Sequence, residues 1–438
     1  MRSVAMILAV LALVGCAVGP VYTPPEMALP DRYARLEPVS QPSASDMRWW
    51  RHFNDPLLTH LVDTAVAGNV GLAEARARLD EAAAIARRDG NRFSGNADLT
   101  LTDEASLGVA AQIGLAGEQR WRARGSAQRL EAAQFDTQAT RRALLTEVGV
   151  AYVDLRFAQA SLTLRRQDLT SRQQTLSVIS SLLDAGAATQ LDLLRAQTLV
   201  SETRALIPTT AADVLRQRNR ISTLMGHPVG QLPINLDYPG TQPDPAMHVT
   251  RGVPADLLRA RPDIRQAERL YAAAVSDMGA AQAARYPSLS LRGAVTAPLD
   301  GGGNGGTLLA GLAMPLFNQP ALGASVDAAD ARVDQAYLRW QRAVLSAIEE
   351  VENAQADLQA SAAAQAEAAR LVDLNRQALA LSRQLLTNRG TITVLDVLDR
   401  ERALSAARAG LARSQRDLAI DYIVLHTVIV QGHALDDG

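Results

Sequence analysis

The stretch that decides the fold is Leu385-Leu-Thr-Asn-Arg-Gly390-Thr-Ile-Thr393-Val-Leu395-Asp396-Val-Leu398-Asp399-Arg-Glu-Arg402. It reads as a helix end, a turn at Gly390 and a new helix beginning near Thr393. It has an echo 204 positions earlier, the separation of Gly186 from Gly390. At that offset Leu386 falls on Leu182, Thr393 on Thr189, and Leu395, Asp396 and Leu398 on Leu191, Asp192 and Leu194. An ungapped helix–turn–helix echo at that distance points to a duplicated architecture.

Working outward, long helices flank both turns. Val148, Leu155, Leu162, Leu169, Leu176 and Leu183 stand seven apart, with no proline from Arg122 to Leu183. A strict heptad predicts a left-handed supercoil. A helix of about 60 residues would span roughly 90 Å. Val344, Val351, Leu358, Val372, Leu379 and Leu386 repeat that register, and Val397, Leu404, Leu411, Leu418 and Leu425 carry the return helix. The first return helix is expected over 190–225, with Pro208 kinking or breaking it. Each half opens with a shorter helix, over 57–88 and 255–285.

Between the opening and the long helix of each half lie two short segments, read as strands over 97–102 and 107–115 and over 288–297 and 308–316. Leu99 and Leu101 alternate with polar residues, and Val109, Ala111, Ile113 and Leu115 share one parity. That is a half-apolar strand pair. Each half therefore reads as helix, two strands, very long helix, tip turn (184–190 and 388–393), return helix. The halves span 51–225 and 253–426, joined by a proline-rich segment, 226–252, and followed by a tail, 427–438. The fold class is mainly α with a small β part in a two-fold internal repeat.

The N-terminus has a minimal positive region at Arg2 and an apolar run Val4–Val14, too short to span a membrane. Residues 1–15 read as a signal peptide ending in Leu13-Val14-Gly15-Cys16. Small residues leading into cysteine form a bacterial lipobox, so Cys16 is expected to become the lipidated N-terminus, several acyl chains giving a stable anchor. An unmodified cysteine in a plain secretory signal is the alternative. Ala17 after Cys16 favours sorting to the outer membrane. A proline-rich arm, 16–50, tethers the body.

Four strands cannot close a barrel, and open edges are not tolerated in lipid. Three copies would supply twelve and could close. Phe93, Trp121, Tyr286 and Phe317 flank the four strands at their helix-side ends and are expected to form an interfacial rim. The opposite rim has no aromatic girdle. The alternative is two hairpins on a soluble core with the aromatics capping it.

Composition excludes other classes. The 438 residues carry net charge −2, and all 44 basic residues are arginine without a basic cluster, which argues against nucleic acid. Six scattered histidines show no metal-ligand spacing, and no nucleophile elbow or phosphate loop appears. An enzyme, a resident metal or a cofactor other than the N-terminal lipid is not expected.

These features resemble the TolC-type outer membrane efflux ducts, in the NodT-like lipoprotein branch. The residues carrying the resemblance are Cys16-Ala-Val-Gly19-Pro20-Val-Tyr22 with Pro25, Trp50, Phe53 and Asp55-Pro56, Arg261-Pro262-Asp263-Ile264, Tyr286-Pro287-Ser288-Leu289, Pro315-Leu316-Phe317, and the tip from Gly390 to Arg402. The pattern departs from the family at Leu115–Arg120 and at Asp399-Arg400-Glu401-Arg402. The resemblance implies a homotrimer with a twelve-stranded barrel continuous with a periplasmic α-helical barrel. It implies docking to a periplasmic adaptor and an inner-membrane resistance-nodulation-division pump, with drugs, metals or other small toxic compounds as substrates. It also implies a periplasmic gate: Leu395 and Asp399 as apolar and acidic rings, Asp396 widening the acidic field, and Arg402 pairing with Asp399 or a neighbouring chain.

Read without the resemblance, Asp396 is equally a helix-start acid and Leu395 equally coiled-coil packing. Asp192 and Arg195 at the echo turn are expected to serve adaptor docking or structure. Gly186 and Gly390 are expected as left-handed helix-end residues. A type I protein-secretion duct and a wholly periplasmic coiled-coil adaptor lipoprotein are the competing functional readings.

Overall fold

The computed structural model describes residues 19–25, 48–91, 94–101, 104–245, 260–298, 304–388 and 392–429. Cys16, Phe93 and Gly390 lie outside the described residues, as do residues 246–259. The elements are α1 (Pro56–Gly68), α2 (Val70–Gly90), β1 (Ser94–Leu101), β2 (Glu104–Gly114), α3 (Glu118–Asp184), α4 (Gln190–Leu224), α5 (Pro262–Ala283), β3 (Ser288–Pro298), β4 (Gly305–Ala313), α6 (Gln319–Asn388) and α7 (Val394–Ile429). No described helix is long and apolar enough to cross a membrane.

Three details differ from the sequence expectation. The opening helix expected over 57–88 is two helices, broken at Asn69. The Asn69 side chain leaves the helical pattern to accept from the Leu72 amide at 2.9 Å and to donate to the Leu224 carbonyl at 2.8 Å. An asparagine offering local backbone bonds competes with helix continuation. Second, α4 runs unbroken through Pro208. Pro208 and Arg204, whose carbonyl loses its amide donor, are both exposed, so water can take that bond; beside them the Thr209 and Thr210 hydroxyls both donate to the Leu206 carbonyl at 2.9 Å. Third, β1, β2 and β4 each begin three residues earlier than expected. Their first residues, such as Gly305 and Gly306, read as loop but pair through the backbone ladder. On the far side β4 stops at Ala313, before Pro315, which has no N–H to donate.

The chain divides into two units. The first comprises Met1–Pro30, Glu74–Ala139 and Leu258–Ser346. Its centre is one antiparallel sheet in the order β1-β2-β3-β4. Residues directly opposite in such a ladder share a face, so the register sorts the sheet. Leu107 pairs with Leu99 and Val295, Val109 with Gly293, and Leu308 also with Gly293. Leu291 pairs with Ala310 and Leu289 with Leu312. This face is apolar throughout, yet Leu308 is 82% and Leu99 68% exposed. The opposite face holds Asp98, Thr100, Ser106, Gln112, Ser290, Arg292, Thr296 and Thr307, interspersed with Gly108, Ala110, Ala294 and Gly311. Leu309 is its large apolar member.

Also in this unit, Trp121 is buried with Ala116 and Ala283. A Cβ at Gly19 or Gly279 would come within 2.5 Å of its ring atoms. Trp121, expected at the rim, has its ring buried: glycines let two backbones close over the indole. The Arg-Pro-Asp-Ile motif opens α5. Pro262 occupies the first turn, and Arg261, 1% exposed, reaches Asp263 at 2.6 Å.

The second unit comprises Asp31–Ala73, Thr140–Leu257 and Ala347–Gly438. Its main core gathers Trp49, Trp50, Phe53, Leu58, Leu61, Val148, Tyr152, Leu155, Ile221, Leu358, Tyr422 and Ile423, among others. The heptad residues Val148, Leu155, Leu358, Leu418 and Leu425 all fall within it. Residues 226–245 form no helix or strand and are pinned by α3: Arg156 donates to the Tyr238 carbonyl at 2.9 Å and Gln159 to the Leu236 carbonyl at 2.7 Å.

Candidate functional site: the paired helix turns

Both helical turns lie in the second unit. At the first, α3 ends in a left-handed cap. Gly186 has φ +71°. Its N–H donates to the Leu183 carbonyl at 2.9 Å, and that of Ala187 to the Leu182 carbonyl at 2.7 Å. That six-to-one, five-to-two pair is the Schellman arrangement, favoured by glycine. Then Thr189 caps α4. Its hydroxyl accepts from the Asp192 amide at 3.2 Å, while the Asp192 carboxylate accepts from the Thr189 amide at 3.0 Å and hydroxyl at 2.6 Å.

The second turn has the same cap on α7. The Thr393 hydroxyl accepts from the Asp396 amide at 3.3 Å, and the Asp396 carboxylate accepts from the Thr393 amide at 2.8 Å and hydroxyl at 2.7 Å. The reciprocal box satisfies two otherwise orphaned donors at each helix start. The same bonds hold both Asp192 and Asp396 below the usual carboxylate range. Asp396 is thus a helix-start acid with its carboxylate engaged.

Beyond the cap the copies diverge. Arg195 turns back towards Asp192 at 3.7 Å. At the matching position stands Asp399, which accepts from Arg402 at 3.1 Å. Both members of that pair are exposed, as is Leu395, so residues 395, 399 and 402 form one uncovered stripe on α7. Leu191 and Leu194 are exposed at the first turn.

Behind the turns the heptad residues are buried, and beside them sit polar groups the sequence reading missed. Ile179, Ala196, Leu199, Val394 and Leu398 form one buried cluster, and Val372, Leu379, Val397, Leu404 and Ala407 another. Glu401, 5% exposed, lies among them. Its carboxylate accepts from Arg383 of α6 at 2.5 Å and from the Thr175 hydroxyl of α3. Arg383 also donates to the Ser171 hydroxyl at 3.0 Å. One turn further along α7, the Ser405 hydroxyl donates to buried Asp168. Arg172 donates to the Leu199 carbonyl and to Thr203, and burial pulls its pKa down. Polar links thus tie α3 to α4, α6 and α7. A cavity of about 220 Å³ opens beside them, lined by Gln174, Thr175, Val178, Ile179, Arg383, Leu386, Val394 and Val397. One signal could have found Glu401: it stands four residues after Val397 and three before Leu404, the other inward position of that heptad.

Among the described residues no cluster of three or more His, Cys, Asp or Glu side chains could hold a metal. Of the expected rim aromatics, Tyr286 and Phe317 are exposed.

The comparisons with known proteins cover almost the whole chain. The outer membrane efflux protein family model matches residues 61–227 and 253–429. Nodulation protein T of Rhizobium leguminosarum bv. trifolii is 33% identical, the match covering 97% of this chain and 96% of the relative. The toluene efflux pump outer membrane protein TtgF of Pseudomonas putida is 29% identical over 91% and 90% of the two chains. The solved outer-membrane channel OprN superposes with a TM-score of 0.84 at 28% identity, covering 94% of this chain and 99% of its own.

Proposed function

We propose that this chain, which belongs to the outer membrane efflux protein family, forms a passive trimeric duct gated at its helix turns. Membership makes it an outer membrane efflux channel with a long periplasmic helical part. Family members work as channels of tripartite systems. The reading for this chain is a homotrimer served by a periplasmic adaptor and an inner-membrane resistance-nodulation-division pump. It exports small toxic compounds and is anchored by lipid on Cys16.

The observation that carries the channel is the sheet. One face is apolar and uncovered, the other polar and small, and among the described residues the edge strands β1 and β4 pair on one side only. In lipid such edges must be paired, and closure of three sheets into twelve strands does that. The apolar face then meets lipid and the polar face lines water.

The gate reading rests on the second turn. Three chains would bring three Asp399 carboxylates together beside three Leu395 side chains. A ring of acids favours cations over anions. Arg402, already bonded to Asp399, is the switchable partner. An adaptor offering Arg402 or Asp399 better contacts would shift the tip towards open, by as much as its affinity differs between the two states. The exposed Leu191 and Leu194 suit adaptor contact.

Conductance of the purified protein in a planar lipid bilayer tests the reading. Discrete channel steps are expected. Absence of any conducting event, with the protein folded and inserted, would refute the duct, and folded protein that never inserts would leave a wholly periplasmic coiled-coil lipoprotein instead.

A further inference from the structure

We propose that Arg292 sets the ion preference of the β-barrel, as a basic ring in the lumen independent of the helix-turn gate. The inference rests on the duct reading above.

The register places Arg292 in one row with Ala110 on β2 and Leu309 on β4. Those rows belong to the polar face, the one that closure turns towards water. Along its own strand the same-face neighbours are Ser290 and Ala294, and the adjoining rows bring Gly108 and Gly311. Arg292 is thus the longest side chain among neighbours that are mostly glycine, alanine, serine and threonine, with Leu309 opposite and Gln112 in the adjoining row as the larger exceptions. Leu309, directly opposite, offers apolar surface for its stem while the guanidinium reaches on to water.

Among residues of the sheet whose side chains are described, this face carries two charges, Arg292 and Asp98. They stand two strands and two residues apart, on β3 and β1, in adjacent rows. Asp98 sits opposite Gly108, and its short side chain stays near the wall. Arg292 therefore carries its charge further towards the axis than Asp98 does.

Size makes this matter. With strands about 4.8 Å apart and tilted about 40°, twelve strands enclose a backbone radius of about 12 Å. An extended arginine covers much of that radius. In a symmetric trimer the three copies lie at one level. An ion on the axis then passes within about one Debye length, ~8 Å at physiological salt, of all three guanidinium groups. Three unit charges at that range, screened by water and salt, change the local ratio of anions to cations roughly threefold or more. The chemical class favoured is anionic or neutral solutes, with small cations held back at this level.

The test is the reversal potential of wild-type, Arg292→Gln and Arg292→Lys channels in planar bilayers under a KCl gradient. The lysine variant should match wild type, because it keeps the charge. The glutamine variant should shift towards cation preference, by roughly threefold or more in permeability ratio. Asp98→Asn should shift the other way and by less. An unchanged reversal potential for Arg292→Gln, or equal shifts for the glutamine and lysine variants, overturns the proposal. A second readout tests the geometry without conductance. In reconstituted trimers, Arg292→Cys should react with a water-soluble, membrane-impermeant thiol reagent and Leu308→Cys should not. The reverse pattern refutes the lumenal placement. Wild-type protein that inserts without conducting would refute the duct reading itself, a result separable from both.

Discussion

Replacing Arg383 by methionine removes the cation beside a buried carboxylate and keeps most of the aliphatic stem. Glu401 has a side chain only 3% exposed, whereas that of Arg383 is 45% exposed. Stripping one partner from a fully buried pair costs about 3–5 kcal/mol, and an exposed pair is worth about 0–1 kcal/mol. Water reaches one end of this pair, so the expected penalty lies between, at about 2 kcal/mol. The assay is amide hydrogen exchange across Val394–Leu404, each variant compared with wild type at the same pH. A penalty of about 2 kcal/mol appears as roughly 30-fold faster exchange. Adding Glu401→Gln to Arg383→Met should recover most of the loss by removing the stranded charge. Exchange within threefold of wild type at pH 7.5, or no recovery in the double variant, would refute the reasoning.

Three further outcomes follow from the same geometry. Asp399→Ala should weaken cation preference or raise leak through the proposed gate; an unchanged reversal potential and leak in a bilayer would remove Asp399 from it. Gly226→Ala should destabilise the second unit by about 1 kcal/mol or more, since φ is +74° and the new Cβ would sit 2.1 Å from the Gly68 carbonyl oxygen; thermal unfolding followed by circular dichroism checks this. Thr189→Ala should cost about 1 kcal/mol through loss of the α4 cap. Because Asp192 is held below its ordinary range, its share of that cap is complete above the unfolded carboxylate value near 3.9 and is lost as pH falls through the folded one. Wild type should then show extra opening at the start of α4 in acid, and Thr189→Ala should show less of it, since only the residue-189 amide still reaches Asp192.

The repeat, the heptads and the capped turns were legible because each is written in local chemistry. Gly186 needs a left-handed backbone, and Thr189 and Thr393 each meet an aspartate three residues on. The strand pairs were legible from alternation, but their starts were not, because glycines at 305 and 306 pair through a backbone that carries no side-chain signal. The burial of Trp121 was not legible for a different reason. Its burial depends on Gly19 and Gly279, residues over a hundred positions away whose lack of a side chain makes room for the indole. Asn69 and Pro208 show the limits of propensity in opposite directions. One side-chain bond to a distant carbonyl broke a helix that pattern would continue, and two threonine hydroxyls accompany a helix that proline would end.

The two turns share one cap and differ in what surrounds it. Their caps match bond for bond, so the backbone entering α4 and α7 is the same. What differs is which side of the helix is covered. Leu398 is buried where its counterpart Leu194 is half exposed, and Glu401 is buried where Gln197 is exposed. The second copy has thus turned an acid inward, where Arg383 and Thr175 hold it. It leaves Asp399 and Arg402 on its uncovered stripe. The first copy keeps its charge within the cap, with Arg195 folded back on Asp192. An inward acid ties α7 to α3 and α6 while the outward pair stays free to exchange partners. A gate needs both: a rigid helix to carry the charge, and a weak surface pair to release. On the duct proposed above, that division is the reason to look for the switch on α7 and for partner contact at the first turn, with its exposed leucines.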